Sequence, residues 1–337
     1  MDRIICNLES TTTVPWQLLA GRRILLTGGS GFFGCNLLTS YLSAWNKHQL
    51  DGYISVLTRD AASFVFKAPQ LATHPAVQLI QGDLLSCDFG ASSWDMLIHA
   101  AVEYGSPLDI LECNVLGTRR LLDLAQQWGV SRVLFTSSGA VYGTQPPTVD
   151  KVEEDFAGAP ALNDQSAYGE AKRMSELHGM LHGERHGYAF LIARCFAFLG
   201  PWLRLDSTGA AGNFIGDALA GRPIHIHGDG QPFRSYLYGE DLAEWLWTIL
   251  LKGVHGRPYN VGSSEAISIY DLAQRVRDLI APGVDVQITS KHAEGLPPRY
   301  VPSVARARME LGLSQRVNLD QAILRTANWN RNRSRSN

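Results

Sequence analysis

Short apolar runs alternate with stretches of helical periodicity along most of this chain. Ile24–Leu26, Ile54–Leu57, Val77–Ile80, Met96–Ala100, Val133–Phe135 and Phe190–Ala193 are buried-strand signals, each four or so residues long and rich in branched side chains. From Phe33, Leu37, Leu38, Tyr41, Leu42 and Trp45 recur at helical spacing. A second helical pattern runs from about Asn114 to Trp128 and stops at Gly129, and a third starts near Ser166, a plausible N-cap, and runs towards His186. Strand–helix alternation of this kind predicts an α/β fold: a Rossmann-type, doubly wound parallel sheet with helices on both faces.

Near Gly200 the pattern changes. Gly209, Gly212, Gly221, Pro223, Gly228, Gly230 and Pro232 punctuate shorter elements. We therefore expect residues 1–20 to be an N-terminal extension and 21–200 a dinucleotide-binding domain. Residues 201–330 are expected to form mostly a smaller substrate-binding domain, with some segments returning to the main sheet. Residues 331–337, which carry Arg331, Arg333 and Arg335 among Asn and Ser, are expected to be a flexible tail.

At 337 residues the chain is long enough for one large or two unequal cores. The 45% hydrophobic and 18% charged residues are ordinary for a soluble globular protein. A formal net charge of -2 gives no electrostatic reason to expect nucleic acid or an anionic membrane as partner. The five cysteines (Cys6, Cys35, Cys87, Cys113, Cys195) are scattered and form no C-x-x-C pair, which argues against a disulfide framework or a zinc site and for a reducing compartment. With no secretory signal and no apolar stretch long enough to span a bilayer, a cytoplasmic protein is expected.

The first strand runs directly into Thr27-Gly28-Gly29-Ser30-Gly31-Phe32-Phe33-Gly34, which opens the first helix. Gly28, Gly31 and Gly34 stand at G-x-x-G-x-x-G spacing. Glycines permit the tight turn and close backbone approach to a pyrophosphate, and the helix N-terminus supplies free N–H groups and partial positive charge. The order strand, loop, helix makes this a dinucleotide site rather than a plain glycine-rich turn. At the end of the second strand, where an acidic residue would hold a ribose 2′-hydroxyl, stands Thr58, followed by Arg59. Arg59 is suited to a 2′-phosphate, so NADP(H) is favoured with NAD(H) possible. Asp83, after the third strand and beside Leu84, is placed to reach the adenine amino group.

Tyr168 and Lys172 are four residues apart at the start of the third helical pattern, hence on one face. A free tyrosine, with a pKa of about 10, is a poor base near neutrality. One cation at about 4 Å in an effective dielectric of about 20 contributes on the order of 4 kcal/mol, roughly three pKa units. Ser138, in the run Phe135-Thr136-Ser137-Ser138-Gly139-Ala140, falls at the C-terminal end of a strand, where open α/β sheets bind ligands. No G-x-S-x-G elbow, P-loop or H-E-x-x-H occurs. His178, His182 and His186 recur every four residues but lack an evident acidic partner, so a metal site is not expected.

With these residues placed, the chain resembles the extended short-chain dehydrogenase/reductases, in particular the nucleotide-sugar epimerase/dehydratase/4-ketoreductase group, over about 22 to 315. The resemblance rests on the glycine loop, Gly82-Asp83, His99-Ala100-Ala101, Asn114-Val115-Leu116-Gly117-Thr118, the Ser138 run, Tyr168/Lys172, Arg194, Gly228-Asp229-Gly230, Arg234 with Asp241, and Tyr259-Asn260-Val261-Gly262. It implies Tyr168 as acid/base, Lys172 as its activator and ribose ligand, and Ser138 as a substrate contact. Ala100 and Ala101 would line the cofactor groove, and Asn114 is carried over with them. Asn213, Arg234 and Arg299 are implied as substrate residues, the arginines gripping a diphosphate.

Two departures bear on the reaction. Where dehydratase relatives carry an Asp-Glu pair, this chain has Gly139-Ala140, which cannot move protons. The Arg-x-x-Asn pattern of many relatives reads Arg194-Cys195-Phe196-Ala197. The expected activity is reduction of a nucleotide-linked 4-keto-6-deoxyhexose. An epimerase is the near alternative, a 4,6-dehydratase a more distant one, and a non-catalytic NADP-sensing regulator the alternative of another class. The resemblance also implies a homodimer joined through helices around 114–128 and 166–186.

Overall fold

The computed structural model describes residues 14–103, 105–206, 209–290 and 295–334. Its strands are β1 (Arg23–Thr27), β2 (Tyr53–Thr58), β3 (Val77–Gln81), β4 (Met96–His99), β5 (Arg132–Ser138), β6 (Ala189–Cys195), β7 (Phe198–Leu199), β8 (Ile224–Ile226), β9 (Phe233–Arg234), β10 (Leu237–Tyr238), β11 (Pro258–Val261), β12 (Ile267–Ser268), β13 (Val286–Ile288) and β14 (Arg299–Tyr300). Its helices are α1 (Phe32–His48), α2 (Ala61–Lys67), α3 (Pro69–Ala72), α4 (Pro107–Gln127), α5 (Ala167–His186), α6 (Ala210–Leu219), α7 (Gly239–Lys252), α8 (Ile269–Ile280), α9 (Ala305–Leu311) and α10 (Leu319–Ser334).

Seven parallel strands form the main sheet in the order β11-β6-β5-β4-β1-β2-β3. The six apolar runs seen in the sequence are six of these strands; burial on both faces explains why five of them are apolar rather than alternating, while β3, at the sheet edge, leaves Gln78 and Gln81 exposed. The winding direction reverses between β1 and β4, which opens a crevice at their C-terminal ends. Thr27 and His99 end those two strands.

Helix α4 begins seven residues before the periodic stretch. Ser106 caps it, accepting from the Asp109 N–H while the Asp109 carboxylate accepts from the Ser106 N–H, and Pro107 occupies the first turn. At α5 the N-cap expectation fails: Ser166 donates to Asn163 Oδ1 at 2.9 Å and does not cap the helix. Gly187, in the left-handed region, closes α5.

Two corrections concern the ends. Val14, Trp16 and Leu19 are buried in the main core, with the Trp16 ring 5.8 Å from that of Trp247, so this part of the expected extension belongs to the fold; residues 1–13 lie outside the described residues. At the other end α10 continues to Ser334, and Arg333 lies over the rings of Trp202 and Trp329 at 5.8 and 5.3 Å. A cation seated on two indoles is not a fraying tail; 335–337 are outside the described residues.

A second core joins Phe214, Ile215, Ile224, Ile226, Leu272, Val276 and Ile323, drawn from α6, β8, α8 and α10. Between these segments the chain revisits the first core, as α7 packs on α1 and β11 extends the sheet beside β6. No described helix is long and apolar enough to cross a membrane.

Candidate active site

The glycine loop sits at the crevice mouth. Gly28 has φ +73°, and a Cβ there would lie 2.5 Å from the Ala100 carbonyl oxygen, so only glycine fits between β1 and β4. Gly31 precedes α1, and the first-turn N–H groups of Phe32, Phe33 and Gly34 have no acceptor within the helix by its geometry. The rings of Phe32 and Phe33 pack on Phe198, at 6.3 and 5.1 Å, so these residues can offer an anion their backbone only.

A groove of about 390 Å³ runs from this loop past the ends of β2, β3 and β4. Gly28, Arg59, Asp83, Leu84, Ala101 and Asn114 line it, as expected for a dinucleotide's adenosine half, and Ala100 lies behind, against Gly28. Thr58, Ser63 and Lys67 line it too. The expected preference for NADP(H) finds no support in this geometry. Arg59 is not waiting for a phosphate: its Nη1 is 2.7 Å from Oε2 of Glu103. Lys67 is likewise engaged, donating to the Ser30 carbonyl at 2.6 Å.

His99 forms the floor, and the sequence reading noted it only as part of a motif. The Ala101 N–H donates to Thr27 Oγ1 at 3.2 Å, and that hydroxyl donates to His99 Nδ1 at 2.7 Å. On the other side His99 Nε2 lies 3.2 Å from Thr118 Oγ1, which itself donates to the Asn114 carbonyl. Since the Thr118 proton is committed, Nε2 is the donor, and in the neutral ring Nδ1 is left to accept from Thr27. Burial, reinforced by the charge of Lys172, lowers the His99 pKa to about 3. This chain of bonds fixes the ends of β1 and β4 relative to α4.

Lys172 is 1% exposed in the first turns of α5. Its ammonium donates to the Thr136 carbonyl at 2.9 Å and lies 4.7 Å from the centre of the Phe135 ring and 5.8 Å from that of Tyr168. Burial lowers its pKa to about 8, with the neighbouring Cys195 and Glu176 acting the other way. Tyr168 is half-buried on the same helix face. Ser138, at the end of β5, is buried and accepts from the Ala140 N–H at 3.1 Å.

Next to Ser138 stands a residue that the sequence reading did not single out. The Tyr300 phenol lies against Gly139 and beside Ser138; burial pushes its pKa up to about 12, with the polar groups of Ser138 and Gly139 acting the other way. It can come this close because position 139 is glycine: a Cβ there would be 2.7 Å from the Tyr300 hydroxyl and from Phe196 Cε1. Only a chain reversal some 160 residues downstream brings Tyr300 here, so no local pattern announces it.

Tyr300 also lines a cavity of about 500 Å³ between the two cores, with Asn213, His225, His227 and Arg234. The Arg234 guanidinium is 5.7 Å from the Tyr300 ring centre. No carboxylate is among the described residues lining this cavity. Asn213 and Arg234 are thus brought to one space with Tyr300, and Arg299 is not. Its guanidinium is bound to the Asp150 carboxylate and lies 4.6 Å from the Phe233 ring, away from the lining. Arg194 pairs with Glu176, Nη2 2.7 Å from Oε2, and lines neither the dinucleotide groove nor this cavity. Among the described residues there is no cluster able to hold a metal.

Fold and site together define a dinucleotide-binding enzyme with a tyrosine–lysine pair at the carboxyl edge of a doubly wound sheet. The chain belongs to the NAD dependent epimerase/dehydratase family, which it matches over residues 24–262, and so to the extended short-chain dehydrogenase/reductases. UDP-glucuronic acid decarboxylase 6 of Arabidopsis thaliana is 28% identical over 309 residues, covering 89% of this chain and 86% of that one. Among solved structures, an epimerase from Methanothermobacter thermautotrophicus superposes with a TM-score of 0.81 at 22% identity, over 95% of both chains. UDP-glucuronic acid 4-epimerase from Bacillus cereus, in complex with NAD, gives 0.79 at 22% identity over 92% of this chain and 99% of that one. The decarboxylase and the Bacillus cereus epimerase are by name enzymes of UDP-glucuronic acid.

Proposed function

We propose that this protein binds a nicotinamide dinucleotide in the β1–β4 crevice and works on a nucleotide-linked hexose in the cavity between the cores. The pair Tyr168–Lys172 carries the reading. The dinucleotide, when bound, supplies a hydride acceptor and donor. Gly28, Gly31 and the first turn of α1 would hold its pyrophosphate, and Asp83 and Leu84 its adenine. Tyr168 takes the proton of the sugar hydroxyl as the carbonyl forms and returns it when the carbonyl is reduced. Lys172 keeps the phenolate accessible by its charge. Ser138 holds the sugar oxygen in line, and Asn213 and Arg234 grip the nucleotide diphosphate.

Of the net reactions open to such a site, redox-neutral epimerisation fits best. The polar side chains lining the cavity are the hydroxyls of Tyr236 and Tyr300, two imidazoles, the Asn213 amide and the Arg234 guanidinium. Oxidation and re-reduction need only Tyr168 and Ser138, whereas eliminating water needs an acid and a base that Gly139 and Ala140 cannot provide. Reduction of a 4-keto-6-deoxyhexose by a reduced dinucleotide is the second reading, since it too needs only a hydride and the Tyr168 proton and no further acid or base at positions 139 and 140. Incubation with UDP- and dTDP-linked hexoses, followed at 340 nm and by product analysis, decides between them. A new stereoisomer without net absorbance change supports epimerisation, and stoichiometric loss of reduced cofactor supports reduction. Absence of any product across the panel would remove both. We also propose a homodimer through α4 and α5, because Met174, Leu177 and Leu181 form an exposed apolar stripe at helical spacing, with Leu108 and Leu111 exposed on α4.

A further inference from the structure

We propose that Glu103 selects the dinucleotide, turning a groove whose sequence advertises a 2′-phosphate site into one that prefers NAD. The inference rests on the reading of the β1–β4 crevice as a dinucleotide groove. Strand β2 ends at Thr58, with Arg59 next and no carboxylate at the position that usually accepts from the ribose 2′-hydroxyl; Asp60, which also lines the groove, has its carboxylate on the Ser63 N–H at 2.8 Å as the cap of α2. By itself this arrangement favours a phosphorylated ribose. The carboxylate comes instead from the segment after β4. Glu103 Oε2 lies 2.7 Å from Arg59 Nη1, and both residues line the groove. Strands β4 and β2 are not neighbours, since β1 runs between them, so the ion pair spans the end of the strand that leads into the glycine loop.

Glu103 is held for this task. Its carbonyl accepts from Asn114 Nδ2 at 3.4 Å, and the same side chain donates to the Ile110 carbonyl within α4. The other cation lining the groove among the described residues, Lys67, is tied to the Ser30 carbonyl. A 2′-phosphate carries nearly two negative charges at neutral pH. To reach Arg59 it would have to displace one carboxylate and remain beside it. A ribose 2′-hydroxyl meets no such repulsion and can donate to a carboxylate. An exposed ion pair is weak, so Glu103 biases the choice and does not forbid NADP.

Calorimetric dissociation constants for NAD and NADP test this without any sugar substrate, on the wild type, Glu103→Gln, Arg59→Ala and the double variant. The wild type is expected to bind NAD more tightly. Glu103→Gln is expected to shift the NADP/NAD affinity ratio towards NADP by about tenfold. Adding Arg59→Ala is expected to erase that shift, because the released guanidinium is what the phosphate would use. An unchanged ratio in Glu103→Gln, or a gain that survives loss of Arg59, overturns the proposal. If the wild type binds neither dinucleotide, the groove itself has been misread and the proposal falls with it.

Discussion

The Lys172 ammonium lies 5.8 Å from the centre of the Tyr168 ring and is anchored on the Thr136 carbonyl, so a strand end fixes the charge that a helix presents to the phenol. Its burial pulls in two directions. Low dielectric strengthens its effect on Tyr168, yet the same burial brings its own pKa down to about 8.

Removing the phenol should therefore separate binding from chemistry. Tyr168→Phe is expected to lower kcat by about 10²–10⁴ while dinucleotide affinity stays within a few-fold. Fluorescence titration beside steady-state kinetics checks it, and full turnover in this variant would deny Tyr168 the proton-transfer role.

Lys172 sets a pH limit as well. Below about pH 8 it is an ammonium and supports Tyr168; as pH rises through that value the charge is lost. The pH profile of kcat is expected to fall on its alkaline side near pH 8. In Lys172→Arg, which stays charged, that limb should move upward. A limb that stays put would belong to another group.

His99 gives a stability signature. Its pKa is about 3 in the folded protein against 6.5 for the free side chain. The unfolded chain takes up this proton first as pH falls, so the stability this group provides is complete above pH 6.5 and is lost towards pH 3. Between pH 7 and 5 the loss is about 2 kcal/mol, from about 1.4 kcal/mol per pK unit. Urea unfolding at both values, in the wild type and in His99→Gln, measures it. The variant is expected to be less stable at pH 7 but to show a flatter pH dependence by that amount, and an equal slope in both would place the proton elsewhere.

Gly139 is a packing requirement. In Gly139→Ala the new methyl would meet the Tyr300 hydroxyl and Phe196, both 2.7 Å from the Cβ position. Crowding of this kind typically costs about 1–3 kcal/mol. The Ser138–Tyr300 contact should open, lowering kcat along with Tm. Thermal melts and kinetics unaffected by the substitution would mean that Tyr300 is not held against Ser138.

The exposed stripe on α5 should matter only for association. Leu181→Glu is expected to convert a dimer to a monomer in size-exclusion chromatography with light scattering, with the far-ultraviolet circular dichroism unchanged. A wild-type monomer would refute the dimer.

Much of the fold was legible in the sequence because it is written locally. The six apolar runs carry most of the sheet, since a parallel strand inside it needs apolar residues on both faces. The start of α4 is also written locally: Ser106-Pro107-Leu108-Asp109 is a capping box with proline in the first turn, seven residues ahead of the apolar period. Trp16 and Arg333 looked like solvent-facing ends because nothing local shows that Trp247, Trp202 and Trp329 await them. The candidate Arg299 failed for the same reason: sequence shows that a guanidinium is available, and the fold assigns it to Asp150.

By itself the sequence determined the glycine loop, the strand–helix alternation and the Tyr168–Lys172 pair, because each depends on backbone geometry within a few residues. The tertiary structure decided which charges meet across the chain. It set Glu103 on Arg59, raised Tyr300 to Ser138 over a missing side chain, and locked His99 neutral between Thr27 and Thr118. Electrostatic and packing energies act through space over a few ångströms, and residues that close in space can be any distance apart along the chain.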